Sequence, residues 1–426
     1  MKSTYLQLII ICVLAVTTAF AQEETELQKY EGLYMDSQGE KYLLNPRAGF
    51  PHFVLLKSGK THMLRRVRKN QYEFSNTRNN FSKVGGFFEL TKSNTITLSF
   101  NKGGTKVLTS IPINKTELGL NLNDSLYISG SLIQSAQTQK NKIAVLLHGD
   151  GENNRYDLYD LGMYLIDSGY SVFAFDKRNV GKSIGKKIVG DNYLDFSKEY
   201  ANDATQIVNW LQKKYPNNQI GVIGISQGGW IGAMVAQAIP DLGFYVNIAG
   251  NMSIGWQQFR HYMLSYLKRN GFSKADLVEA TDYFKVYFDL CLNKIEFEEY
   301  EKILPLFINK VWFKKLETRK LVKFKNKDRA LRLQEENSFD PTDFLKDVYA
   351  PSLGIFYQYD HSTPPDSPAR FIAGLTKSKS NDISARIFSN TTHGGWVVDG
   401  YYFNSKDITR MESKAFFHII EWLDSI

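Results

Sequence analysis

The stretch "GVIGISQGGW", residues 221–230, sets one serine between two glycines. Apolar residues lead into Gly224-Ile225-Ser226-Gln227-Gly228, and a helical run, "WIGAMVAQAI", leads out. A serine on a sharp strand-to-helix turn is held in a strained backbone conformation with its hydroxyl exposed above the sheet. Strand and helix pack closely there, so Gly224 and Gly228 remove side chains that would clash. This arrangement, a nucleophile elbow, makes Ser226 the expected nucleophile. The turn also aims the Gln227 N–H at the place where an oxyanion would develop. The plain alternative is a glycine-rich turn with an incidental serine. The buried strand before it and the helix after it argue against that.

A serine hydroxyl needs a base to take its proton. Of the seven histidines, His52 and His62 fall in an N-terminal β-rich region, His418 in an amphipathic helix and His261 in a long helical stretch. His361 adjoins Asp360 and is expected as a neighbour of the site. His393, in "NTTHGGW", lies on a glycine-rich loop between the last strand and the last helix. From there it can reach across the strand tips, so it is the expected base. Asp360 closes the strand "GIFYQYD" and falls between serine and histidine in the chain, the order this chemistry uses on strand-to-helix elbows. It is the expected orienting carboxylate. The rival, Asp176, closes "VFAFD", where a carboxylate more often braces the adjoining loop, here "KRNVGKS". A second oxyanion donor is expected from the loop after "KIAVLLHG", from Asp150 or Gly151, with His148 as a brace for that loop.

These residues need a scaffold that brings strand ends together. Residues 22–115 read as short β-branched and aromatic runs such as "HFVLLKS", "QYEFS" and "TITLSF", punctuated by "SNT" and "NKGG" turns. They predict a small antiparallel sheet or barrel. From 116 to 250 strands alternate with helices: "LYISGSLIQS", "KIAVLLHG", "LYDLGMYLIDSGY", "SVFAFD", "YANDATQIVNWLQKKY", "QIGVIGIS", "GGWIGAMVAQAI" and "GFYVNIAG". That alternation predicts a mostly parallel sheet with helices on both faces. Residues 251–340 are helical throughout and predict a cap inserted over the carboxyl edge of the sheet. Residues 341–426 return to the core with "SLGIFYQYD", "SARIFSN" and the final helix "ESKAFFHIIEWLDSI". Ligands bind at the carboxyl ends of such strands. His148-Gly149-Asp150-Gly151, Ser226, Asp360 and His393 all fall there.

In this order the motifs resemble the α/β-hydrolase superfamily, in particular secreted bacterial serine esterases and acyl-peptidase-like hydrolases. "VLLHGDGENNR" is similar to the oxyanion segment, and "FAFDKRNVGKSIG" resembles the superfamily's "YDxRGxGxS" loop with Asn179 where glycine is usual. "GISQGG" matches the elbow, and "FDPTDFLKDVYAPSLGIFYQYDHSTPP" resembles the stretch that delivers the acid. "THGG" departs from the commoner "H-x-F" surroundings but keeps the histidine. The resemblance covers about 118–250 and 338–426. It implies hydrolysis of an ester, thioester or amide through an acyl-enzyme, with no metal or organic cofactor.

Composition sets the remaining bounds. The chain is 43% hydrophobic and 14% aromatic, ordinary for a globular protein. Residues 1–21 read as a signal peptide: Lys2, the apolar "LQLIIICVLAV", and an Ala19-Phe20-Ala21 cleavage site. Export to the periplasm or beyond is therefore expected, and the apolar run is short for a membrane span. Cleavage leaves Cys291 as the only thiol, which excludes an internal disulfide or a cysteine metal cluster. The net charge of +8 is concentrated in residues 310–329, with nine Lys or Arg against Glu317 and Asp328. This segment could attract a membrane surface or an acidic polymer. The alternative, favoured here, is pairing with residues 274–301, which hold eight acids against three lysines. No recognition motif accompanies the charge, so nucleic-acid binding is not expected. The reading that follows is a serine hydrolase acting on a small-molecule carboxylic ester. The alternatives are a serine peptidase of the acyl-aminoacyl type and a catalytically idle binding module on the same fold.

Overall fold

The computed structural model describes residues 27–46, 51–77, 80–81, 83–91, 95–186, 193–319, 321 and 323–426. The expected signal peptide lies outside the described residues, as do Ser93 and Asn94 of the "SNT" turn and Lys320 of the basic segment.

Eight short strands, β1 (Gly32–Met35), β2 (Lys41–Asn45), β3 (His52–Leu55), β4 (Lys60–Arg68), β5 (Gln71–Ser75), β6 (Val84–Leu90), β7 (Thr95–Phe100) and β8 (Thr105–Ile111), pair antiparallel in sequence, and β8 closes on β1. The side-chain period of two explains why "KYLLN" is apolar on both faces. Tyr42 and Leu44 point into the barrel with Phe53, Phe74 and Phe88. Leu43 points out and joins Val54 and Leu56 against a helix of the neighbouring layer. An eight-stranded barrel has an interior that side chains can fill, and this one is filled by aromatics. The "NKGG" turn joins β7 to β8, with Gly103 and Gly104 at φ of 104° and 70°.

The junction to the second layer falls at Pro112, a few residues ahead of the expected position. The sheet opens with β9 (Ile113–Asn123), which the sequence patterns left unassigned, and continues through β10 (Leu126–Ser135), β11 (Lys142–Leu147), β12 (Ser171–Phe175), β13 (Gln219–Ile225), β14 (Tyr245–Ile248), β15 (Ser352–Tyr359) and β16 (Ile383–Thr392). The spatial order is β16-β15-β14-β13-β11-β12-β10-β9. β11 to β16 are parallel, and β10 and β9 add antiparallel at one edge. Helices α1 (Tyr159–Asp167) and α11 (Ser413–Ser425) cover one face. Helices α2 (Tyr193–Lys214), α3 (Gln227–Ala238) and α10 (Ser367–Leu375) cover the other. This double cover is why β11, β12 and β13 are continuous apolar runs. The barrel docks on α1, where Lys41 meets Asp167 at 2.6 Å and Tyr164 donates to the Leu56 carbonyl at 2.9 Å.

Between β14 and β15 lie α4 (Gly255–Arg269), α5 (Lys274–Cys291), α6 (Phe297–Ile303), α7 (Val311–Glu317), α8 (Lys327–Leu331) and α9 (Gln334–Ser338). The expected helical run is thus broken into short pieces around its own aromatic core of Phe284, Tyr287, Phe288, Trp312 and Phe313. The stretch leaves and returns at one point. The Gly255 N–H donates to the Phe339 carbonyl at 2.9 Å, and a Cβ on Gly255 would lie 2.0 Å from the Glu336 carbonyl oxygen. No described helix is long and apolar enough to cross a membrane.

Candidate active site

Ser226 occupies the turn between β13 and α3 with φ 57° and ψ −120°, a conformation that non-glycine residues rarely adopt. Neighbouring contacts fix it. The Ser226 N–H donates to the Ile248 carbonyl at 2.8 Å, and its carbonyl accepts from the Gly229 N–H at 2.9 Å. A Cβ at Gly224 would lie 1.9 Å from the Gly228 carbonyl oxygen, and one at Gly228 would lie 2.2 Å from that of Leu147. Backbone cannot yield to such contacts, so both positions need glycine.

His393 follows β16, and Asp360 follows β15. The structure brings them to Ser226: Ser226 Oγ lies 2.9 Å from His393 Nε2, and His393 Nδ1 lies 2.9 and 2.8 Å from the two Asp360 carboxylate oxygens. With the Nδ1 proton held by the carboxylate, Nε2 is left as an acceptor for the serine proton. Asp360 Oδ1 also accepts the N–H groups of Ser362 and Thr363, each at 2.8 Å. Burial pushes the Asp360 carboxyl up, but the His393 ring and these two N–H groups outweigh it and hold it below the usual carboxylate range. Burial pulls the His393 imidazole down, and the Asp360 charge and hydrogen bond overcome that, leaving it above 6.5. His361 stacks edge-on at 5.7 Å from His393, where burial and that neighbour push it down to about 4. It is neutral beside the site. His261, from α4, contacts the Asp360 carbonyl through Nε2 at 3.0 Å.

Asp176, the rival carboxylate, is committed elsewhere. It accepts from the Arg155 backbone N–H at 2.9 Å, from Arg155 Nε at 3.1 Å and Nη2 at 2.8 Å, and from the Lys182 N–H at 3.0 Å. Arg155 reaches on to Glu117 at 2.6 Å, so one buried guanidinium ties β9, β10 and the loop after β12 together. Asn179 takes φ 60°, so this asparagine supplies the left-handed turn for which glycine is usual.

The expected oxyanion donors divide. Gln227 opens α3, and among the described residues its backbone N–H has no protein acceptor. Its buried side chain donates to Ser197 Oγ at 2.8 Å. The Gly151 N–H, by contrast, is taken by the Asp150 carboxylate at 2.8 Å, and Gly151 does not line the cavity at Ser226 whereas Asp150 does. Of the two loop positions, only Asp150 lines the cavity. His148 contacts the Asn154 carbonyl through Nε2 at 3.0 Å, as a loop brace should.

Sequence reasoning missed Lys177. It is buried, and its Nζ donates to the Gly149 carbonyl at 2.5 Å and the Gly151 carbonyl at 3.1 Å, holding the loop beside Ser226. Burial pushes its ammonium down to about 8, despite the opposing Asp150 charge. No pattern signals a buried lysine, since lysine is usually exposed.

The cavity above Ser226 holds about 410 Å³. Leu194, Trp230, Phe259, Met263 and Phe339 give it apolar walls, and Asp150, Gln258, Arg319, Glu336 and Asn337 add polar groups. That size suits a small-molecule ligand.

Residues 138–273 match the hydrolase family described as serine aminopeptidase, S33. An uncharacterised protein of Rickettsia prowazekii is 31% identical over 112 residues, covering 25% of this chain and 44% of its own. The mouse monoglyceride lipase is 36% identical over 94 residues, covering 22% of this chain and 29% of its own. The chain thus spans less than half the length of either relative. Among solved structures, a Pyrococcus furiosus esterase aligns over 74% of this chain and 91% of its own at 16% identity, TM-score 0.46. A Pyrobaculum calidifontis esterase aligns over 73% and 85% at 15% identity, TM-score 0.42. The family match falls on the strand, elbow and helix just described, so it is this stretch of the chain that is similar to that hydrolase family.

Proposed function

We propose that this protein is a serine hydrolase that cleaves a carboxylic ester through an acyl-enzyme. One observation carries the reading: the hydroxyl on the strained elbow meets an imidazole at 2.9 Å whose other nitrogen meets a buried carboxylate at 2.8 Å. His393 takes the Ser226 proton as Oγ attacks the ester carbonyl. The Gln227 and Asp150 N–H groups receive the oxyanion. His393 then protonates the departing alcohol, and water, deprotonated by His393, releases the acid and restores Ser226. Asp360 holds the imidazole tautomer and offsets the charge it gains. The helical stretch serves as a cap whose α4 face, through Gln258, Phe259, Tyr262 and Met263, forms part of the substrate wall. Residues 1–21 direct export.

A peptidase reading draws on the description of the matched family. We favour the ester because Leu194, Trp230, Phe259, Met263 and Phe339 give the cavity an apolar wall suited to an acyl or alkyl arm. The test is hydrolysis of p-nitrophenyl esters of increasing chain length and of an aminoacyl anilide, beside Ser226→Ala and His393→Ala. Turnover of esters by wild type, with a loss of several orders of magnitude in both variants, supports the reading. Preferential anilide cleavage would make it a peptidase. Silence on every substrate together with resistance to a fluorophosphonate would leave a binding module.

A further inference from the structure

A second concavity, of about 630 Å³, adjoins the Ser226 cavity. Its walls are the last turn of α4 (Tyr266, Arg269, Asn270), Arg319 just after α7, and residues 401–404. Arg319 lines both spaces. Cations converge on it and are held in place by rings. The Arg269 guanidinium lies 5.2 Å from the Phe403 centroid, Arg319 lies 4.5 Å from that of Tyr266, and Lys268 lies 4.1 Å from that of Tyr401. Lys315 also approaches Tyr266, at 5.5 Å. Among the described residues, no acidic one lines this concavity. Among the described residues neither Arg269 nor Arg319 lies within ion-pair distance of a carboxylate.

The basic segment thus divides into two parts. Lys310 and Lys327 pair with Glu279 and Glu296, in keeping with the favoured expectation of pairing with residues 274–301, while Lys323 pairs with Glu317 of the same segment. Lys315 and Arg319 turn instead to Tyr266 and the concavity. Helix α4 links the two spaces. Gln258, Tyr262, Tyr266 and Arg269 recur at helical spacing along one face. The first two line the Ser226 cavity and the last two line the second concavity. Seven residues separate Tyr262 from Arg269, about 10 Å at the helical rise. Two guanidinium forks with no carboxylate of their own, on the wall of one hollow, present donors suited to a carboxylate, sulfate or phosphate.

We propose that this concavity is an anion subsite continuous with the Ser226 cavity, and that the substrate is an ester bearing a carboxylate, sulfate or phosphate on an arm that reaches from Ser226 into it. The proposal rests on the serine-hydrolase reading, so its test must separate the two. Two matched substrate pairs are compared. One puts the charge on the acyl arm: the mono-p-nitrophenyl ester of octanedioic acid against its methyl-capped form. The other puts it on the alcohol arm: 6-acetoxyhexanoate against its methyl ester. In one pair, kcat/KM for the charged ester exceeds that of the neutral one by about tenfold or more, carried by KM and weakened by salt. In Arg269→Gln/Arg319→Gln the ratio collapses toward one. Because it is a ratio, a general folding defect does not mimic the effect.

A ratio near one in wild type for both pairs overturns the subsite while leaving the hydrolase reading intact. If wild type cleaves neither pair, the hydrolase reading is judged by the fluorophosphonate probe, and the subsite by calorimetric binding of octanedioate to Ser226→Ala. Binding weakened about tenfold or more by the arginine substitutions supports the subsite, and no binding removes it. Inorganic phosphate and sulfate as competitors identify which anion fits best. Capture of phosphatidylserine vesicles that the arginine substitutions abolish, with the ester ratio unchanged, would assign the cations to a lipid surface and overturn the proposal.

Discussion

Asp360→Asn tests the relay at its least replaceable atom. Asp360 Oδ1 accepts two backbone N–H groups, from Ser362 and Thr363, both at 2.8 Å. An asparagine placed there must keep its carbonyl oxygen at that position, because its amide nitrogen would set donor against donor twice. The NH₂ then takes the place of Oδ2, 2.8 Å from His393 Nδ1. It donates to Nδ1, so the ring proton moves to Nε2, and Nε2 can no longer accept from Ser226 at 2.9 Å. The swap changes almost no volume, so the fold persists while the tautomer is wrong. A substitution of this kind costs about 10⁴ in turnover, or about 5 kcal/mol of transition-state stabilisation. Ester hydrolysis and the rate of fluorophosphonate labelling are measured together with thermal melting. We expect both rates to fall by about that factor with melting little changed. If Asp360→Asn stays within about tenfold of wild type while Asp176→Asn loses more, the orienting carboxylate has been misassigned.

Three further outcomes follow from the same geometry. His393 must be neutral to act as base and is held above 6.5, so the acid limb of kcat/KM has its midpoint above pH 6.5 and activity falls as pH drops through it, read from a pH–rate profile. The stability linkage has two signs. His393 stabilises the fold below its unfolded pKa and loses that contribution as pH rises through its raised folded value. Asp360, held low, stabilises above the usual carboxylate range and loses that as pH falls. Gly228→Ala puts a Cβ 2.2 Å from the Leu147 carbonyl oxygen and costs about 1–3 kcal/mol or more, with loss of labelling at Ser226, checked by denaturant melts and a fluorophosphonate probe. Arg155→Leu strands the buried Asp176 charge and costs about 3–5 kcal/mol by chemical denaturation, and the Arg155→Leu/Asp176→Leu double variant recovers most of it.

What the chain disclosed about itself depends on how local each constraint is. The elbow was legible because its demands fall within five residues: a positive φ at Ser226 and no side chain at Gly224 or Gly228. Asp360 and His393 were legible more weakly, as residues at strand ends in a chain order the elbow anticipates. Strand β9 escaped notice because it is an edge strand with Leu120 as its one fully buried position, so it has little apolar periodicity to read. Helix α10 begins inside the turn-rich "PPDSP", which hides a start signal. Loop chemistry was harder still. Asp150 and Gly151 look alike to a sequence reading, and the bond from the Gly151 N–H to the Asp150 carboxylate and the cavity lining separate them. Lys177 and Arg155 act on partners tens of residues away, against the usual preference of both types for water. The basic segment shows the same limit. Its net charge is plain from composition, but whether a cation is neutralised by a glutamate or held by an aromatic ring facing the site depends on how α5 and α7 pack beside α4. Lys310 and Arg319 are nine positions apart, yet the first meets Glu279 and the second overlooks the Ser226 cavity. Under the proposed function, specificity therefore resides in the packing of the helical stretch, while the bond-breaking chemistry resides in short motifs at the strand ends.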